Sequence, residues 1–196
     1  MARDHLALRP GDEGVNAYRW LTGLVVPRPI AWVSSLSAAG VGNLAPHSFF
    51  TVASAEPPIV QFTSVGAKDT LRNVLETGEF TVSLASRPLL EEINASSAAY
   101  DAGVDEARAL DIEMAPSVTV APPRVAASPA SLECRLERTV PVGDSTIVLG
   151  EVVALTVDPE VLVDGRPALD RLAPLSRLGG DEWGLPPEVV RVRRPR

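Results

Sequence analysis

The sequence predicts a mainly β fold, an antiparallel β-barrel with added helices. About six or seven runs are rich in β-branched and aromatic residues and have the length of strands. Only two or three segments have helical spacing, and they do not alternate with the strands as they would in a parallel sheet. The 196 residues suit a single domain over 1–196, with residues 1–17 as a loose lead-in and residues 188–196 as a basic tail.

The first third of the chain predicts one short helix followed by strands. Residues 18–25 form a helical turn or a short helix that ends before Pro27. The runs that follow are separated by an Ala-Ala-Gly turn and by the Pro57-Pro58 pair. The predicted strands cover residues 30–37, 41–50, 49–55 and 59–64.

The clearest helix is predicted over Asp69–Thr77. Its apolar residues recur at i, i+3 and i+4, and Asp69 or Lys68 stands near the N-cap position. Gly78 follows where a left-handed C-cap residue is expected. Two further helices are predicted, at residues 87–101 with a proline in the first turn and at residues 106–114.

The other segments of the second half predict strands. Residues 79–86 form one of them, and the long runs 131–142 and 145–157 form a hairpin. Gly143-Asp144 between the two long runs is a strong hairpin signal. A last short strand turns around the Asp164-Gly165 pair.

The composition argues against several classes of protein. A net charge of −7 and a pI near 4.9 argue against a general nucleic-acid-binding protein, because neutralising phosphates requires a basic face. No run approaches the roughly 20 apolar residues of a membrane-spanning helix. The chain has one cysteine, Cys134, and two histidines, so we expect neither an internal disulfide nor a typical structural zinc site. The reducing cytoplasm is the expected location.

One group of residues suggests an anion site, although no P-loop, G-x-G-x-x-G or G-x-S-x-G motif is present. Arg28 precedes a predicted strand, and Ser34 and Ser35 lie within it. Lys68, the only lysine, stands with Thr70 at a helix start, where backbone N–H groups are free. Together these groups could hold one phosphomonoester. The plainer alternative has Lys68 in solvent, Thr70 as an ordinary first-turn residue and the two serines bonded to backbone.

An ordered set of short segments resembles the flavin reductase-like family. In chain order they are PRPIAWVSS, NLAPHSFF, EPPIVQF, KDTLRN, ETGEF, STIVLGEVV, LVDGR and RLGG, spread from residue 26 to residue 180. This family is the FMN-binding split-barrel group, and the chain is most similar to its flavoredoxin-like branch. The resemblance implies an antiparallel, Greek-key-like split β-barrel and a homodimer with FMN near the subunit interface.

The same resemblance implies two groups of flavin-binding residues. Backbone N–H and C=O groups of the first group would bond the O2, N3 and O4 edge of the isoalloxazine ring. That group consists of Asn43, Pro46, His47, Ser48, Phe49 and Thr51. The second group would lie near the ribityl phosphate and consists of Ser34, Lys68 and Thr70, with Arg28 as an addition. For His47, a packed or solvent-facing position is the alternative to a flavin contact.

The implied function is that of an oxidoreductase. Electrons would move from NAD(P)H or a reduced partner through FMN, or FAD in its place, to an acceptor or a monooxygenase partner. Some related flavin reductases have Gly-Asp-His at the late hairpin, where the histidine helps to place nicotinamide. The matching residues here are Gly143, Asp144 and Ser145, which leaves a non-catalytic FMN carrier or electron-transfer module as the alternative. A third hypothesis is a split barrel whose flavin site is empty or binds another ligand.

Overall fold

An antiparallel sheet of seven strands forms the centre of the protein, seen here in a computed structural model that describes residues 3–195. Met1 and Ala2 of the predicted lead-in and Arg196 of the predicted basic tail lie outside the described residues. The α-helices are α1 (Ala17–Leu24), α2 (Asp69–Thr77), α3 (Leu90–Ala95), α4 (Glu106–Ala109) and α5 (Leu169–Leu172). The strands are β1 (Arg28–Pro29), β2 (Ala31–Leu36), β3 (Gly42–His47), β4 (Phe50–Ala55), β5 (Pro58–Val65), β6 (Glu79–Leu84), β7 (Met114–Ala115), β8 (Arg124–Val125), β9 (Ala130–Val142), β10 (Ser145–Val157), β11 (Leu162–Val163), β12 (Arg166–Pro167), β13 (Ser176–Arg177) and β14 (Trp183–Gly184).

The central sheet has the strand order β3-β2-β6-β9-β10-β5-β4, and every neighbouring pair is antiparallel. Its longest hairpin joins β9 and β10 through Gly143, whose φ of +58° suits a glycine. The edge strand β3 curls towards β5, where the rings of His47 and Phe62 pack 4.6 Å apart. Side-chain packing thus joins β3 to β5 where the barrel is split, and the predicted mainly β split barrel is confirmed.

Strand β2 is buried along most of its length because both of its faces are covered. Ala31 and Val33 belong to the barrel core with Phe62 and Phe80. Trp32, between them in sequence, belongs to a second core that includes residues of α3 and α4. The two cores follow the two-residue period of a strand. This packing holds β3, the neighbour of β2, in a fixed position beside α2.

Helix α2 has the predicted bounds. Lys68 is its N-cap, and Gly78 ends it in the left-handed conformation with a φ of +74°. Leu71 and Val74 are buried on the face that packs against the barrel core. The packing places the first turn of α2 next to the end of β3, with the Thr70 Oγ1 atom 3.3 Å from His47 Nε2.

The helix predicted at residues 87–101 is shorter in the structure. A 3-10 turn at Arg87–Leu89 contains the proline, and α3 follows it and ends at Ala95. The hydroxyl groups of Ser96 and Ser97 donate to carbonyl groups three residues earlier. Such bonds compete with a continuing helix, and they explain its early end.

The segment after residue 106 also has less helix than predicted. Helix α4 is a single turn within the predicted range 106–114, and Asp111 has a φ of +53°, which a helix cannot accommodate. The two-residue strands β1, β7, β8, β13 and β14 were not predicted, because two residues are too few for a strand pattern. The predicted turn at Asp164-Gly165 joins β11 to β12.

Two kinds of feature are not found in the described part of the chain. None of its helices is long and apolar enough to cross a membrane. Within residues 3–195, no group of three or more His, Cys, Asp or Glu side chains is placed to hold a metal ion.

Candidate functional site

A cavity of about 560 Å³ lies where β3 ends, beside the end of β5 and the start of α2. Three stretches of chain form most of its wall, namely residues 45–49, 67–70 and 96–100. The first ends an edge strand, the second begins a helix and the third follows α3. The cavity therefore combines backbone groups outside a regular ladder with a helix N-terminus and several hydroxyl groups.

Seven of the ten predicted site residues line this cavity, although they come from two separate parts of the sequence. They are Asn43, Pro46, His47, Ser48, Phe49, Lys68 and Thr70. The fold brings the two parts together because β3 and the first turn of α2 lie side by side. The residues assigned to the flavin ring and those assigned to its phosphate thus share one cavity. Contact with a flavin stays a prediction.

Arg28 lies outside the cavity wall, because its guanidinium group is engaged elsewhere. It donates to the carbonyl of Thr22, to the carbonyl of Val25 at 2.9 Å and to the carbonyl of Leu178 at 2.8 Å. Arginine is a common partner for carbonyl groups at the end of a helix. Arg28 therefore fastens the end of α1 to the segment around Leu178, and its guanidinium carbon lies 5.9 Å from the centre of the Phe49 ring in the cavity wall.

Ser34 and Thr51 also lie outside the cavity wall. Adjacent strand residues face opposite sides, and the Ser34 hydroxyl donates to the carbonyl of Pro123, away from the cavity. Ser35 faces α2 instead, and its hydroxyl oxygen accepts from Asn73 Nδ2 at 3.2 Å. Thr51 is exposed on edge strand β4, opposite Gln61. The sequence placed both serines on β2, but only the structure shows which of the two side chains faces α2.

The start of α2 is the electropositive end of the cavity. The first N–H groups of a helix have no partner within it, and the N-cap residue Lys68 supplies no side-chain cap. Lys68 is exposed, and among the described residues it forms no salt bridge. The Asp69 carboxylate is paired with Arg72 at 2.8 Å, which offsets its negative charge. An anion in the cavity would find free N–H donors and an ammonium group here.

Three buried side chains form a polar cluster in the wall of the cavity, which we term the buried polar cluster: Asn43, Thr70 and His47. Asn43 Nδ2 donates to Thr70 Oγ1 at 2.9 Å, and the same Thr70 oxygen lies 3.3 Å from His47 Nε2. Asn43 Nδ2 also lies 3.4 Å from the Ser35 hydroxyl oxygen. One polar atom of each side chain, namely Asn43 Nδ2, Thr70 Oγ1 and His47 Nε2, is therefore directed at another member of the cluster.

His47 is neutral at pH 7. Burial lowers its pKa from 6.5 to about 4, because the charged ring would lose its hydration. A hydrogen bond to the Thr63 backbone opposes this effect and the Lys68 charge adds to it. A neutral imidazole has one donor and one acceptor nitrogen, so the ring can both accept from a hydroxyl group and donate to a carbonyl.

Glu106 is a cavity residue that the sequence did not reveal. It begins α4, is only 8% exposed, and its Oε2 atom accepts from Leu44 N at 2.8 Å, on the free edge of β3. Burial raises the pKa of this carboxyl group, and the nearby charges of Asp105 and Asp69 raise it further. In sequence Glu106 is an ordinary first-turn glutamate, so no signal marked it.

The wall formed by residues 96–100 is attached to the barrel by a tryptophan. Trp32 Nε1 donates to Ser96 Oγ at 2.9 Å, and Ser96 in turn donates to the Ile93 carbonyl. The Tyr100 hydroxyl lies 3.4 Å from the Ala95 carbonyl. These residues were read as part of a helix, and nothing in their spacing indicated that they line a cavity.

The turn Gly143–Ser145 lies next to the loop that leads into α2, although these residues do not line the cavity. Gly66 N donates to the Asp144 carbonyl at 3.0 Å. The Ser145 hydroxyl donates to the Asp144 carboxylate at 2.8 Å. Ser145, which stands where some related reductases have a histidine, is therefore close to residues 67–70 of the cavity wall.

Comparison with known proteins identifies the family. The pattern of the family described as "Flavin reductase like domain" matches residues 23–172. The chain belongs to this family. It is 44% identical over 156 residues to an uncharacterized protein of Deinococcus radiodurans, a match that covers 75% of this chain and 69% of the relative. The predicted family resemblance is thereby confirmed.

Several solved structures are similar over nearly the whole chain. Nitrilotriacetate monooxygenase component B from Bacillus cereus has a TM-score of 0.93 and 30% identity, covering 97% of this chain and 100% of that one. The 2-nitrobenzoate 2-nitroreductase of Pseudomonas fluorescens has a TM-score of 0.87 and 30% identity, covering 98% and 96%. Flavoredoxin of Desulfovibrio vulgaris has a TM-score of 0.80 and 21% identity, covering 94% and 97%, and shows the shared fold.

Proposed function

We propose that this chain is an FMN-binding oxidoreductase of the flavin reductase type, built as one flavin reductase-like domain, with the flavin in the cavity beside β3 and α2. The strongest support is that one cavity of about 560 Å³ has two chemically different ends, one at the start of α2 and one at the end of β3. One end is a helix start with a lysine that forms no salt bridge within residues 3–195, and the other is an interrupted strand. That volume lies in the range of small-molecule and cofactor sites.

The donor set at the start of α2 suits a phosphate group. Free N–H groups of the helix and the Lys68 ammonium would both donate to phosphate oxygens, and the helix dipole favours a negative charge. The paired Asp69 carboxylate adds little repulsion. Arg28 and Ser34 are not needed, because the structure commits both to backbone carbonyls. The phosphate contact would therefore depend on Lys68 and the α2 backbone.

The strand end suits the polar edge of a flavin ring. Regular pairing of β3 ends at His47, and Pro46 has no N–H group to give to a ladder. Ser48 and Phe49, which follow, line the cavity and would offer backbone donors and acceptors to the ring. Bound FMN supplies two-electron chemistry, taking up a hydride and passing the electrons on.

We also propose a homodimer formed through an apolar surface beside the cavity. Helix α1 buries only Thr22 and exposes Leu21 and Leu24. Tyr18, on the same helix, is 65% exposed and also lines the cavity. Contiguous exposed apolar surface is typical of interaction sites, and a second copy here would cover it and narrow the cavity mouth. Light scattering at working concentration should give twice the chain mass; a monomer would contradict the dimer.

The electrons would come from NAD(P)H or from a reduced partner. The similarity to a monooxygenase component B supports an oxygenase partner as acceptor, and the similarity to a nitroreductase supports a small-molecule acceptor.

The single cysteine of this chain is buried, and burial raises the pKa of the Cys134 thiol to about 12, so the thiol is not reactive. We propose a cytoplasmic location for such a chain.

The absorption spectrum of the purified protein and the mass of the cofactor it releases test the flavin assignment. We expect a flavin spectrum and released FMN. A colourless protein that takes up neither FMN nor FAD would contradict the proposed function.

Stopped-flow mixing with NADH and with NADPH tests the reductase activity. Bleaching of the flavin absorption is the expected result. No bleaching at millimolar nucleotide would instead favour the FMN carrier, which the absence of an imidazole at Ser145 supports. The variant Ser145→His is the matched comparison, since it restores an imidazole to the turn beside the cavity.

A further inference from the structure

We propose that the buried polar cluster of Asn43, Thr70 and His47 positions the two ends of the cavity relative to each other and does not itself contact the flavin. Its members are positioning residues that hold the start of α2 against the end of β3. The inference rests on the proposed flavin site, and it gives a structural role to the side chains of residues that the resemblance had placed near the flavin ring and its phosphate.

Asn43 Nδ2, Thr70 Oγ1 and His47 Nε2 already have hydrogen-bond partners within the cluster. Asn43 Nδ2 is bonded to Thr70 Oγ1 at 2.9 Å, and the Thr70 oxygen lies between this donor and His47 Nε2. Their exposures are 6% for Asn43, 1% for Thr70 and 8% for His47. A flavin phosphate or ring oxygen could bond these atoms only by breaking bonds that are buried, which costs free energy.

The cluster lies where β3, α2 and β5 meet. Asn43 and His47 lie on β3, Thr70 lies in the first turn of α2, and the His47 ring packs against Phe62 of β5. Between β3 and β5 no ladder joins the strands in the described sheet. The cluster therefore supplies polar contacts between β3 and α2 beside the split, and the His47 ring adds packing against β5.

The cluster continues into the barrel through Ser35. The Ser35 hydroxyl oxygen lies within hydrogen-bond reach of Asn43 Nδ2 at 3.4 Å and of Asn73 Nδ2 at 3.2 Å. Asn73 lies one turn after Thr70 on α2, so two turns of the helix are tied to β2 and β3 by side-chain bonds. This arrangement resists both sliding and rotation of α2 against the strands.

The hydrogen-bond directions follow from donor counting. The Asn43 amide donates to Thr70 Oγ1, so the Thr70 hydroxyl proton is free to donate to His47 Nε2. In the proposed arrangement Nε2 is unprotonated and the proton of the neutral ring lies on Nδ1, where it can serve the Thr63 backbone bond. Each donor in this series of hydrogen bonds, from Asn43 through Thr70 to His47, then has an acceptor.

The positioning role makes a prediction that direct contact does not. A Thr70 that touched only the phosphate would matter for FMN and not for riboflavin, which has the same ring and no phosphate. A Thr70 that sets the distance between α2 and β3 would matter for both, because a displaced helix start also disturbs the strand end that accepts the ring.

The test compares Thr70→Val with wild type in fluorescence titrations of FMN and riboflavin. We expect both ligands to bind roughly tenfold more weakly, because valine keeps the shape and removes both hydrogen bonds. Thr70→Ser keeps the hydroxyl and should bind both nearly as wild type. Thr77→Val is the matched control, since Thr77 makes one hydroxyl bond to the Asn73 carbonyl at the exposed far end of the same helix.

Weaker binding of FMN alone in Thr70→Val would assign Thr70 to the phosphate and overturn the proposal, as would unchanged binding of both ligands. A wild type that binds neither flavin would contradict the proposed function itself. Nitrogen-15 NMR of wild-type His47 tests the cluster without any variant or ligand. An unprotonated Nε2 at neutral pH is expected, and a protonated Nε2 would overturn the proposed hydrogen-bond chain.

Discussion

Acidification should destabilise this protein through His47, whose pKa burial lowers from 6.5 to about 4. Between these two pH values the unfolded chain binds a proton at His47 and the folded chain does not, so stability falls as pH falls. One pKa unit corresponds to about 1.36 kcal/mol, and the shift therefore corresponds to a loss of about 3 kcal/mol between pH 7 and pH 4. The contribution of the neutral, buried His47 ring to the free energy of unfolding is fully present above pH 6.5 and is lost towards pH 4.

Urea denaturation of wild type and His47→Gln over this pH range measures the effect. Glutamine is neutral throughout, so we expect the variant to be less stable at pH 7 and to have a flatter pH profile. Carboxylates and the exposed His5 are common to both proteins, so their contributions cancel in the difference. The difference in free energy of unfolding between wild type and variant should fall by about 3 kcal/mol from pH 7 to pH 4. Parallel profiles would refute the reasoning, as would an NMR titration of His47 with its midpoint near 6.5.

Three other variants test single contacts. Lys68→Ala should weaken FMN by roughly tenfold or more and leave riboflavin unchanged, since a charge-assisted hydrogen bond contributes about 1.5–3 kcal/mol; equal weakening in fluorescence titrations would show that Lys68 does not bind the phosphate. Arg28→Met should lower the free energy of unfolding in urea by roughly 2–3 kcal/mol, because one buried and two partly buried carbonyl groups lose their donor; an unchanged value would mean that Arg28 does not fasten α1. Glu106 has a raised pKa, so its stabilising effect is present below the ordinary glutamate value of 4.5 and is lost as pH rises through the folded pKa. Glu106→Gln, which can still accept from Leu44 N, should remove this loss, and an unchanged decline in urea midpoint with rising pH would assign it to other groups.

Local signals in the sequence were sufficient for the main elements. The helix α2 was predicted with its bounds because its apolar spacing, its N-cap and the glycine at its end are properties of adjacent residues. The β9-β10 hairpin followed from two β-branched runs around Gly143-Asp144. Helix α3 was predicted too long, because the backbone bonds of Ser96 and Ser97 compete with helix in a way that spacing does not reveal.

The cavity was predicted in part. The segments around residues 43–49 and 68–70 were identified through the family resemblance, and the structure brings them together. Arg28, Ser34 and Thr51 were assigned to the site but do not line the cavity, because lining depends on the direction of each side chain. Glu106 and residues 96–100 were not predicted at all, because they reach the cavity only through the packing of α3 and α4.

The sequence by itself determined the class of the fold, the family, the start of α2 and the strand that ends beside it. These are consequences of local hydrophobic periodicity, turn chemistry and ordered short segments. Only the tertiary structure decided that Asn43, Thr70 and His47 bond to one another and that Ser35, not Ser34, faces α2. The physical reason is that burial and hydrogen-bond pairing depend on which elements meet, and residues 23 or 27 positions apart become neighbours only when the barrel closes around its split.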